Sequence, residues 1–287
     1  MFLPRKILEE RLRNLLTEDI GQGDITTALI VPEDHITEAE VIAKKIGVAA
    51  GIEEAKILLE GIGLEVNVLV MDGERVKPKQ VLLKISGDTR TILVVERTLL
   101  NLVSRMSGIA TATRNIVEKL QKTKLKVKVA CTRKTAPGLL YFDKKAVFVG
   151  GGDTHRLHLD DLILIKDNHI AVASSIEESM KLVRQGASFT KKIEIEVTKE
   201  EDALVAAKAG ADIVMLDNFS PKQIEKTVAA LKKTKSYGKV LLEASGGITL
   251  ANVLKFASTG VDVVSLGELT HSAKALNVSL EIMKIKK

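Results

Sequence analysis

The chain has 287 residues, of which 45% are hydrophobic and 28% are charged, and its formal net charge is +6. These values are typical of a folded protein with one large domain or two ordinary ones, and they exclude an intrinsically disordered chain. No apolar run approaches the roughly 20 residues that span a bilayer, and charges throughout Met1 to Arg13 predict that no signal peptide is present. The single cysteine, Cys131, excludes an internal disulfide framework and predicts a cytoplasmic protein.

The first hundred residues predict a separate α+β region. Short strands are predicted at Ala39–Lys44 and Val66–Val70, with a helix at Ile52–Gly61 between them. Asp72-Gly73 and Lys77-Pro78-Lys79 indicate turns that flank another pair of strands. This region of short strands and turns therefore differs from the regular alternation of strands and helices that begins at about Lys126.

A long helical stretch follows, from Thr91 to Leu120, with a predicted interruption near Ser107-Gly108. Just before it, Val68–Ile85 faintly resembles the hairpin of a biotinyl or lipoyl carrier. The lysine that such a carrier modifies is absent, so we interpret this likeness as shared strand-and-turn chemistry only. The long helix is predicted to join the two domains of the chain.

From about Lys126 one pattern repeats: a short β-branched apolar run, a turn, and then usually an amphipathic helix. Such continuous apolar runs are typical of parallel strands that are buried on both faces and joined by crossover helices. The predicted strands are Val127–Thr132, Ala146–Val149, Leu162–Lys166, Ile193–Val197, Ile213–Leu216, Val240–Ala244 and Val261–Leu266. Helices are predicted at Ser174–Gln185 and Lys199–Ala209, at Ser220-Pro221, and after a cap at Thr249.

Seven strand candidates in regular alternation predict an α/β fold, an incomplete TIM-like barrel of about seven parallel strands. No glycine-rich dinucleotide motif follows the first strand, which disfavours a Rossmann sheet. The predicted division is an N-terminal α+β domain at residues 1–107 and a catalytic barrel at 108–272. The tail at 273–287 has no strand partner in the barrel and is predicted to join the N-terminal domain.

Cationic donors concentrate at the carboxyl ends of the first three predicted barrel strands, the face where active sites of such barrels lie. We call these residues the basic cluster: Arg133, Lys134, His155, Arg156 and Lys166. Five converging cations would repel one another unless they held an anion with several negative charges, and arginine is suited to carboxylates. The alternative is a set of exposed basic loops.

Acidic and glycine residues follow the later strands. Glu196 and Asp217 are predicted to lie at equivalent heights opposite the basic cluster, where they fit Mg²⁺, bound directly or through water, or ribose hydroxyls. Simple salt bridges are the alternative, and Glu194 is predicted to point inward like Glu196. Backbone N–H groups are predicted to bind a phosphate, with the next helix N-terminus assisting, at Ser245, Gly246, Gly247, Gly267 and His271. Tight turns, and for His271 a cap or core position, are the alternatives.

Other chemistry is disfavoured. The chain has no dense set of histidines and cysteines, so a zinc site is not expected. Cys131 has no evident base partner and is interpreted as buried packing rather than as a nucleophile. Only 3% of the residues are aromatic, and the Lys-rich stretches Lys119–Lys128 and Lys232–Lys239 are interpreted as solvated faces. Nucleic-acid binding is therefore not expected.

Several motifs resemble the quinolinate phosphoribosyltransferase family over essentially the full chain. They are Glu18 to Asp24, Glu96 to Asn101, Ser107 to Thr111, Thr132 to Gly138, Gly150 to Arg156, Leu164 to Ile170, Met215 to Phe219 and Glu243 to Ile248. One departure is Thr154, where many members have Asn before the His-Arg pair, which puts only local hydrogen bonding in doubt.

The resemblance implies transfer of phosphoribosyl from 5-phosphoribosyl 1-diphosphate to quinolinate, with release of diphosphate and CO₂, giving nicotinate mononucleotide in NAD biosynthesis. It implies that quinolinate is bound by Arg133, His155, Arg156 and Lys166, with Lys134 near the diphosphate. Lys134, Lys166, Glu196 and Asp217 are the implied catalytic residues. Ser245, Gly246, Gly267 and His271 are the implied contacts of the 5-phosphate.

The resemblance also implies a homodimer, because Arg97 matches an arginine that enters the neighbouring subunit's site. The alternative is that Arg97 pairs with Glu96 or Asp88 in its own chain. A paralogous, molybdenum-associated protein of the same fold is the nearest rival family, and Arg97, Arg133 and Lys166 favour quinolinate over it. A phosphate-binding barrel isomerase or synthase is a more distant rival that would need neither Arg97 nor the N-terminal domain.

Overall fold

A computed structural model of the protein describes residues 3–286. The described chain divides into two compact units, one of residues 3–112, 148–150 and 273–286, and one of 113–147 and 151–272. Within residues 3–286, no helix combines the length and the apolar character that crossing a membrane requires.

The first unit contains a four-stranded antiparallel sheet and helices. In chain order its elements are α1 (Arg5–Ile20), α2 (Ile25–Ile30), β1 (Ile36–Ala43), β2 (Gly47–Val48), α3 (Ile52–Glu60), β3 (Glu65–Val68), β4 (Arg75–Val76), β5 (Val81–Asp88) and the start of α4 (Thr89–Gln121). The predicted helix at 52–61 and the strands at 39–44 and 66–70 are confirmed within one to three residues at each end.

The long helix α4 is not interrupted. It runs through Ser107 and Gly108, and these residues instead allow close packing within the first unit. The Ser107 hydroxyl accepts a hydrogen bond from Ala50 N at 3.0 Å, while a Cβ at Gly108 would lie 2.1 Å from Lys274 O. The prediction of a break was wrong because this glycine serves a close approach rather than a helix end.

The second unit is an α/β barrel with a parallel sheet. Its elements are β6 (Lys128–Cys131), α5 (Leu140–Val149), β7 (Ile163–Ile165), α6 (Asp167–Ala173), α7 (Ile176–Gly186), β8 (Ile193–Val197), α8 (Glu200–Lys208), β9 (Ile213–Asp217), α9 (Pro221–Lys233), β10 (Leu241–Ser245), α10 (Val253–Ala257), β11 (Val263–Leu266) and α11 (Glu268–His271). The six strands lie in the order β6-β11-β10-β9-β8-β7. The incomplete barrel is confirmed, with six strands instead of about seven.

The strand predicted at Ala146–Val149 is wrong, because these residues end helix α5. A four-residue apolar run cannot be assigned by periodicity alone, and here it belongs to a ten-residue helix whose buried face includes Phe142 and Val147. Asp153 instead forms a single parallel bridge with Ala130 beside β6. Among the described residues, no ladder joins that bridge to β7, so the barrel is open at this point.

Helix starts in the barrel follow the sequence closely. Ser175 caps α7 by accepting from Glu178 N, and Ser220 forms a capping box with Gln223 at the start of α9. Thr249 does not cap a helix, since α10 begins at Val253 with Asn252 as its N-cap residue.

The strand β12 (Val278–Lys286) follows the barrel in the sequence but pairs antiparallel with β1. The sheet of the first unit therefore has the order β12-β1-β5-β3. Buried and less buried residues alternate along much of β1, as expected for an antiparallel strand with one face on a core. The tail thus belongs to the N-terminal sheet, as the sequence predicts.

Candidate active site

A cavity of about 440 Å³ lies in the second unit, at the carboxyl ends of the barrel strands. Its lining includes ten residues that the sequence placed in the site: Arg133, Lys134, His155, Arg156, Lys166, Glu196, Asp217, Ser245, Gly246 and Gly247. Because carboxyl ends of parallel strands meet at one face, segments far apart in sequence converge there. The structure thus brings the whole basic cluster to one cavity.

The turn that carries His155 and Arg156 is shaped by glycine and by an unusual backbone conformation. A Cβ at Gly152 would lie 2.8 Å from Thr113 Cγ2 and 2.9 Å from Val147 Cγ1, so only glycine fits where the chain leaves α5. His155 has φ 52°, in the left-handed region. Its N–H donates to Asp153 Oδ1 at 2.8 Å, which helps to hold this conformation.

The basic cluster contains more positive charge than its own carboxylate partners balance. Lys166 Nζ lies 3.2 Å from Glu196 Oε2. Burial and the neighbouring charge of Arg133 lower the pKa of the Arg156 guanidinium. Burial is the larger cause, and repulsion from Arg133 adds to it, so an anionic ligand between the two guanidinium groups would relieve that repulsion.

Two buried carboxylates lie beneath His155. Its Nε2 is 3.3 Å from Glu194 Oε2 and 3.3 Å from Glu243 Oε2, and the two glutamates are 0% and 1% exposed. Ser265 donates to Glu243 Oε1 at 2.5 Å. The inward orientation predicted for Glu194 is confirmed, whereas Glu243 was not named as a site residue. A charged residue inside the apolar run of β10 was the observation that could have identified it.

The protonation of His155 follows from these contacts. Nδ1 accepts a hydrogen bond from Arg156 N at 2.8 Å, so Nε2 carries a proton toward the carboxylates. Burial alone would lower the pKa of His155, but the bonds to Glu194 and Glu243 raise it to about 10. A charged imidazole would also carry a proton on Nδ1, and that proton would displace the hydrogen bond from Arg156 N. This loss opposes part of the increase in the pKa of His155. Burial raises the pKa of Glu194.

Glu196 and Asp217 both line the cavity, but not at equivalent heights. Glu196 pairs in register with Met215, so Asp217 lies two residues further along the neighbouring strand. Asp217 Oδ2 accepts a hydrogen bond from Asn218 Nδ2 at 2.7 Å. Glu196 also forms the salt bridge to Lys166 that the sequence left open as an alternative. Two hard carboxylates that face one cavity fit a Mg²⁺ ion that shares its coordination with substrate oxygens and water.

A second group, of one histidine and two glutamates, has ligand atoms close enough together to hold a metal ion. Ligand atoms of His155, Glu194 and Glu243 all lie within 4.8 Å of one another. The set mixes one nitrogen with two carboxylates and is almost fully buried. These contacts already satisfy the histidine, so we interpret the group as a support for His155.

The glycine turns, defined as Gly246, Gly247 and Gly267, adjoin the other end of the cavity. Gly246 has φ 95°, and a Cβ there would lie 2.2 Å from Asn218 Oδ1. Gly247 has φ 62° with nothing within 4 Å of its Cβ position. A Cβ at Gly267 would lie 3.2 Å from His271 Nε2 and 3.4 Å from Lys134 Cδ. These positions therefore combine constrained backbone with open space.

The helices after these turns are short, with five residues in α10 and four in α11. A macrodipole of this length contributes little, so any phosphate here would depend on backbone N–H groups and side chains. Gly267 and His271 are outside the cavity lining but adjoin Lys134, whose carbonyl accepts from Thr270 Oγ1 at 2.7 Å.

Cys131 and Arg97, two further residues considered from the sequence, differ in their exposure: one is buried and the other is exposed. Cys131 is buried, its thiol donates to Thr154 O at 3.5 Å, and burial raises its pKa, as expected for a packing residue. Arg97 is exposed on α4 in the first unit. Within residues 3–286 it has no ion-pair partner, and Asp88 instead accepts from Thr91 N at 2.7 Å.

Comparison with known proteins identifies the family. The quinolinate phosphoribosyl transferase C-terminal domain matches residues 109–281, and the N-terminal domain of the same family matches residues 24–107. Relatives named probable nicotinate-nucleotide pyrophosphorylase (carboxylating) are 43% identical in Methanothermobacter thermautotrophicus, covering 96% of this chain and 99% of the relative, and 46% identical in Archaeoglobus fulgidus, covering 91% and 99%. The crystal structure of NadC from Streptococcus pyogenes matches with a TM-score of 0.89 and 36% identity, over 99% of this chain and 100% of that one.

The open barrel and its cavity, together with these relatives, define an α/β-barrel phosphoribosyltransferase. Within that class, the chain belongs to the quinolinate phosphoribosyltransferase family. The resemblance seen in the motifs is thus confirmed.

Proposed function

We propose that this protein transfers phosphoribosyl from 5-phosphoribosyl 1-diphosphate to the ring nitrogen of quinolinate, releasing diphosphate and CO₂ and giving nicotinate mononucleotide. The observation that carries this proposal is the convergence of Arg133, His155, Arg156 and Lys166 on one cavity. The names of the relatives agree with it and favour it over the molybdenum-associated paralogue.

The basic cluster suits the dicarboxylate. Arg133 and Arg156 supply planar donor pairs for carboxylates, and Lys166 and His155 supply further positive donors beside them. A ligand with one carboxylate would leave part of this cluster unpaired. Discrimination against nicotinate is therefore expected to be strong, on the order of several kcal/mol.

The rest of the cavity suits the phosphoribosyl donor. We assign the diphosphate to Lys134, and the ribose to Glu196 and Asp217. The 5-phosphate is assigned to Ser245, the glycine turns and His271. Mg²⁺, held by Glu196 and Asp217 directly or through water, would supply charge stabilisation for the departing diphosphate.

The chain's own residues act mainly by positioning. When the bond from ribose to diphosphate breaks, positive charge develops on the ribose, and the carboxylates of Glu196 and Asp217 stabilise it. The ring nitrogen then bonds to the same carbon, because the basic cluster orients the quinolinate. Loss of CO₂ leaves an electron pair beside the pyridinium nitrogen, and a proton replaces the lost carboxylate.

The deciding experiment is incubation of the purified protein with quinolinate, 5-phosphoribosyl 1-diphosphate and Mg²⁺. Stoichiometric nicotinate mononucleotide, diphosphate and CO₂ are expected, with chelation of Mg²⁺ reducing the rate. Nicotinate in place of quinolinate is expected to give little product. Equal turnover of the two acids would contradict the assignment of the basic cluster to two carboxylates.

A homodimer with a shared site is part of the proposal. Arg97 is exposed and has no ion pair within the described residues, and the family resemblance assigns it to carboxylate binding. A two-fold pair in which each Arg97 enters the partner's cavity requires only one self-complementary interface.

Complementation tests this arrangement. Arg97→Ala and Lys166→Ala are expected to be inactive alone. After subunit exchange, one site of each mixed dimer carries both lesions and the other neither, so about a quarter of wild-type activity should return. Confirmed exchange without any activity would mean that Arg97 acts in its own chain. Function in the cytoplasm, without nucleic-acid or membrane partners, remains a prediction.

A further inference from the structure

Lys144 is a buried lysine that the proposed reaction leaves without a role. It lies in the middle of α5, and it is 1% exposed. Burying an ammonium group is costly unless its donors are satisfied, so its position calls for an explanation. Lys144 is not in the lining of the cavity.

The Lys144 ammonium donates to the backbone of the turn that carries His155 and Arg156. Nζ bonds to Thr154 O and, at 3.1 Å, to Arg156 O. These two carbonyls flank His155 on either side in the chain. A single cation thus joins both ends of the three-residue segment that presents two members of the basic cluster.

The segment needs such support. The left-handed backbone of His155 is unfavourable for a residue with a side chain and persists only where the surroundings hold it. Three other hydrogen bonds contribute: His155 N donates to Asp153 Oδ1, Arg156 N donates to His155 Nδ1, and the Cys131 thiol donates to Thr154 O. Of these contacts, only the one from Lys144 joins Thr154 to Arg156.

We propose that Lys144 is a positioning residue, which fixes the turn Thr154–Arg156 so that His155 and Arg156 face the quinolinate carboxylates. This inference rests on the proposed function. Burial lowers the pKa of Lys144, and the neighbouring Cys131 opposes part of this lowering. The carbonyls of Thr154 and Arg156 both accept hydrogen bonds from Nζ, which favours the charged form with its three donors. Side chains that hold a binding residue from behind decide whether its geometry is productive.

The test uses Lys144→Met, which keeps an unbranched chain of similar length and removes the charge and all donors. Its Kd for quinolinate should rise by about tenfold or more, which corresponds to ~1.4 kcal/mol. Its Kd for 5-phosphoribosyl 1-diphosphate should change by less than about twofold, because the glycine turns do not depend on this contact. In steady-state kinetics, KM for quinolinate should rise more than kcat falls.

Phe142→Leu is the matched control, since Phe142 is equally buried on the same helix and packs edge-on against Tyr141. It should lower Tm without changing the Kd for quinolinate. Lys144→Arg keeps the charge and should show a smaller selective loss than Lys144→Met. If Lys144→Met does not fold, a selective rise of the quinolinate Kd in Lys144→Arg supports the proposal.

Equal affinity of the lysine variants and the wild type for quinolinate would overturn the proposal. The proposal would also be overturned if Lys144→Met lost affinity for both substrates equally and Phe142→Leu showed the same loss, because the effect would then be a general loss of packing. Failure of the wild type itself to bind quinolinate would instead refute the proposed function, so the two failures are distinguishable.

Discussion

The cavity is built by two different means at its two ends. The basic cluster depends on side chains, three of which (Arg133, Lys134 and Lys166) are exposed and can adjust. The glycine turns depend on backbone whose geometry is fixed by left-handed φ angles at Gly246 and Gly247. Side chains can tolerate small displacements, whereas a backbone turn in contact with Asn218 cannot. The two ends should therefore respond differently to small substitutions.

The largest effect is expected for Gly246→Ala. Its methyl group would lie 2.2 Å from Asn218 Oδ1 and 2.8 Å from Asn218 N, at a φ of 95°. The displaced Asn218 would move Asp217, so kcat/KM for the diphosphate substrate should fall by at least about 100-fold, or ~2.7 kcal/mol. Steady-state kinetics with each substrate varied would measure this.

Gly247→Ala is the matched control for that variant. It has open space at the Cβ position and φ 62°, so only the left-handed backbone cost of about 1–2 kcal/mol applies. Its kinetic loss should be clearly smaller. Equal losses in the two variants would show that contact with Asn218 does not matter, and that the turns are less constrained than we infer.

An intermediate effect is expected for Glu196→Ala and Asp217→Ala. Each removes a carboxylate assigned to the ribose and Mg²⁺, so affinity for the diphosphate substrate should fall by at least about tenfold, since a lost hydrogen bond to a charged group costs about 1.5–3 kcal/mol. Affinity for quinolinate should fall less. Calorimetric titration with each substrate separates the two, and unchanged activity in both variants would refute the assignment.

The last effect, on stability rather than on kinetics, concerns the buried carboxylates Glu194 and Glu243 beneath His155. Because the pKa of folded His155 is raised to about 10, its contribution to stability is present below about pH 6.5 and is lost as the pH rises toward 10. The free energy of unfolding should therefore decrease across this range. Glu243→Gln keeps the shape and the acceptor for Ser265 but removes one charge, so the decrease should be shallower.

Denaturant titrations of both proteins at several pH values would measure these slopes. Ser265→Ala is a suitable control, since it removes the hydrogen bond to Glu243 but no charge. Parallel pH dependences for wild type and Glu243→Gln would mean that Glu243 does not affect the protonation of His155.

Much of the site could be predicted because it follows strand ends. In a parallel barrel every strand delivers its last residues to the same face, so Lys166, Asp217 and Ser245 could be assigned before any coordinates. The heights of Glu196 and Asp217 could not, since they depend on register between strands. The contact of His155 with Glu243 depends on a left-handed turn that no local pattern specifies.

The errors in the fold have a related cause. Ala146 and Val147 are apolar neighbours of Lys144 and Lys145, and only the long-range contacts of α5 decide that this segment is a helix rather than a strand. Charged residues inside a buried helix gave no periodic pattern that could distinguish the two. The glycine in α4 was misassigned because close packing and helix ends use the same residue type.

The pairing of β12 with β1 has a consequence for synthesis on the ribosome. The strand β1 emerges early, but its partner β12 follows every strand of the barrel in the sequence. One edge of β1 therefore stays unpaired while the entire second unit is translated. All the barrel strands are therefore synthesised before the N-terminal sheet has its last strand, so the unit whose translation begins first is also the one that is completed last.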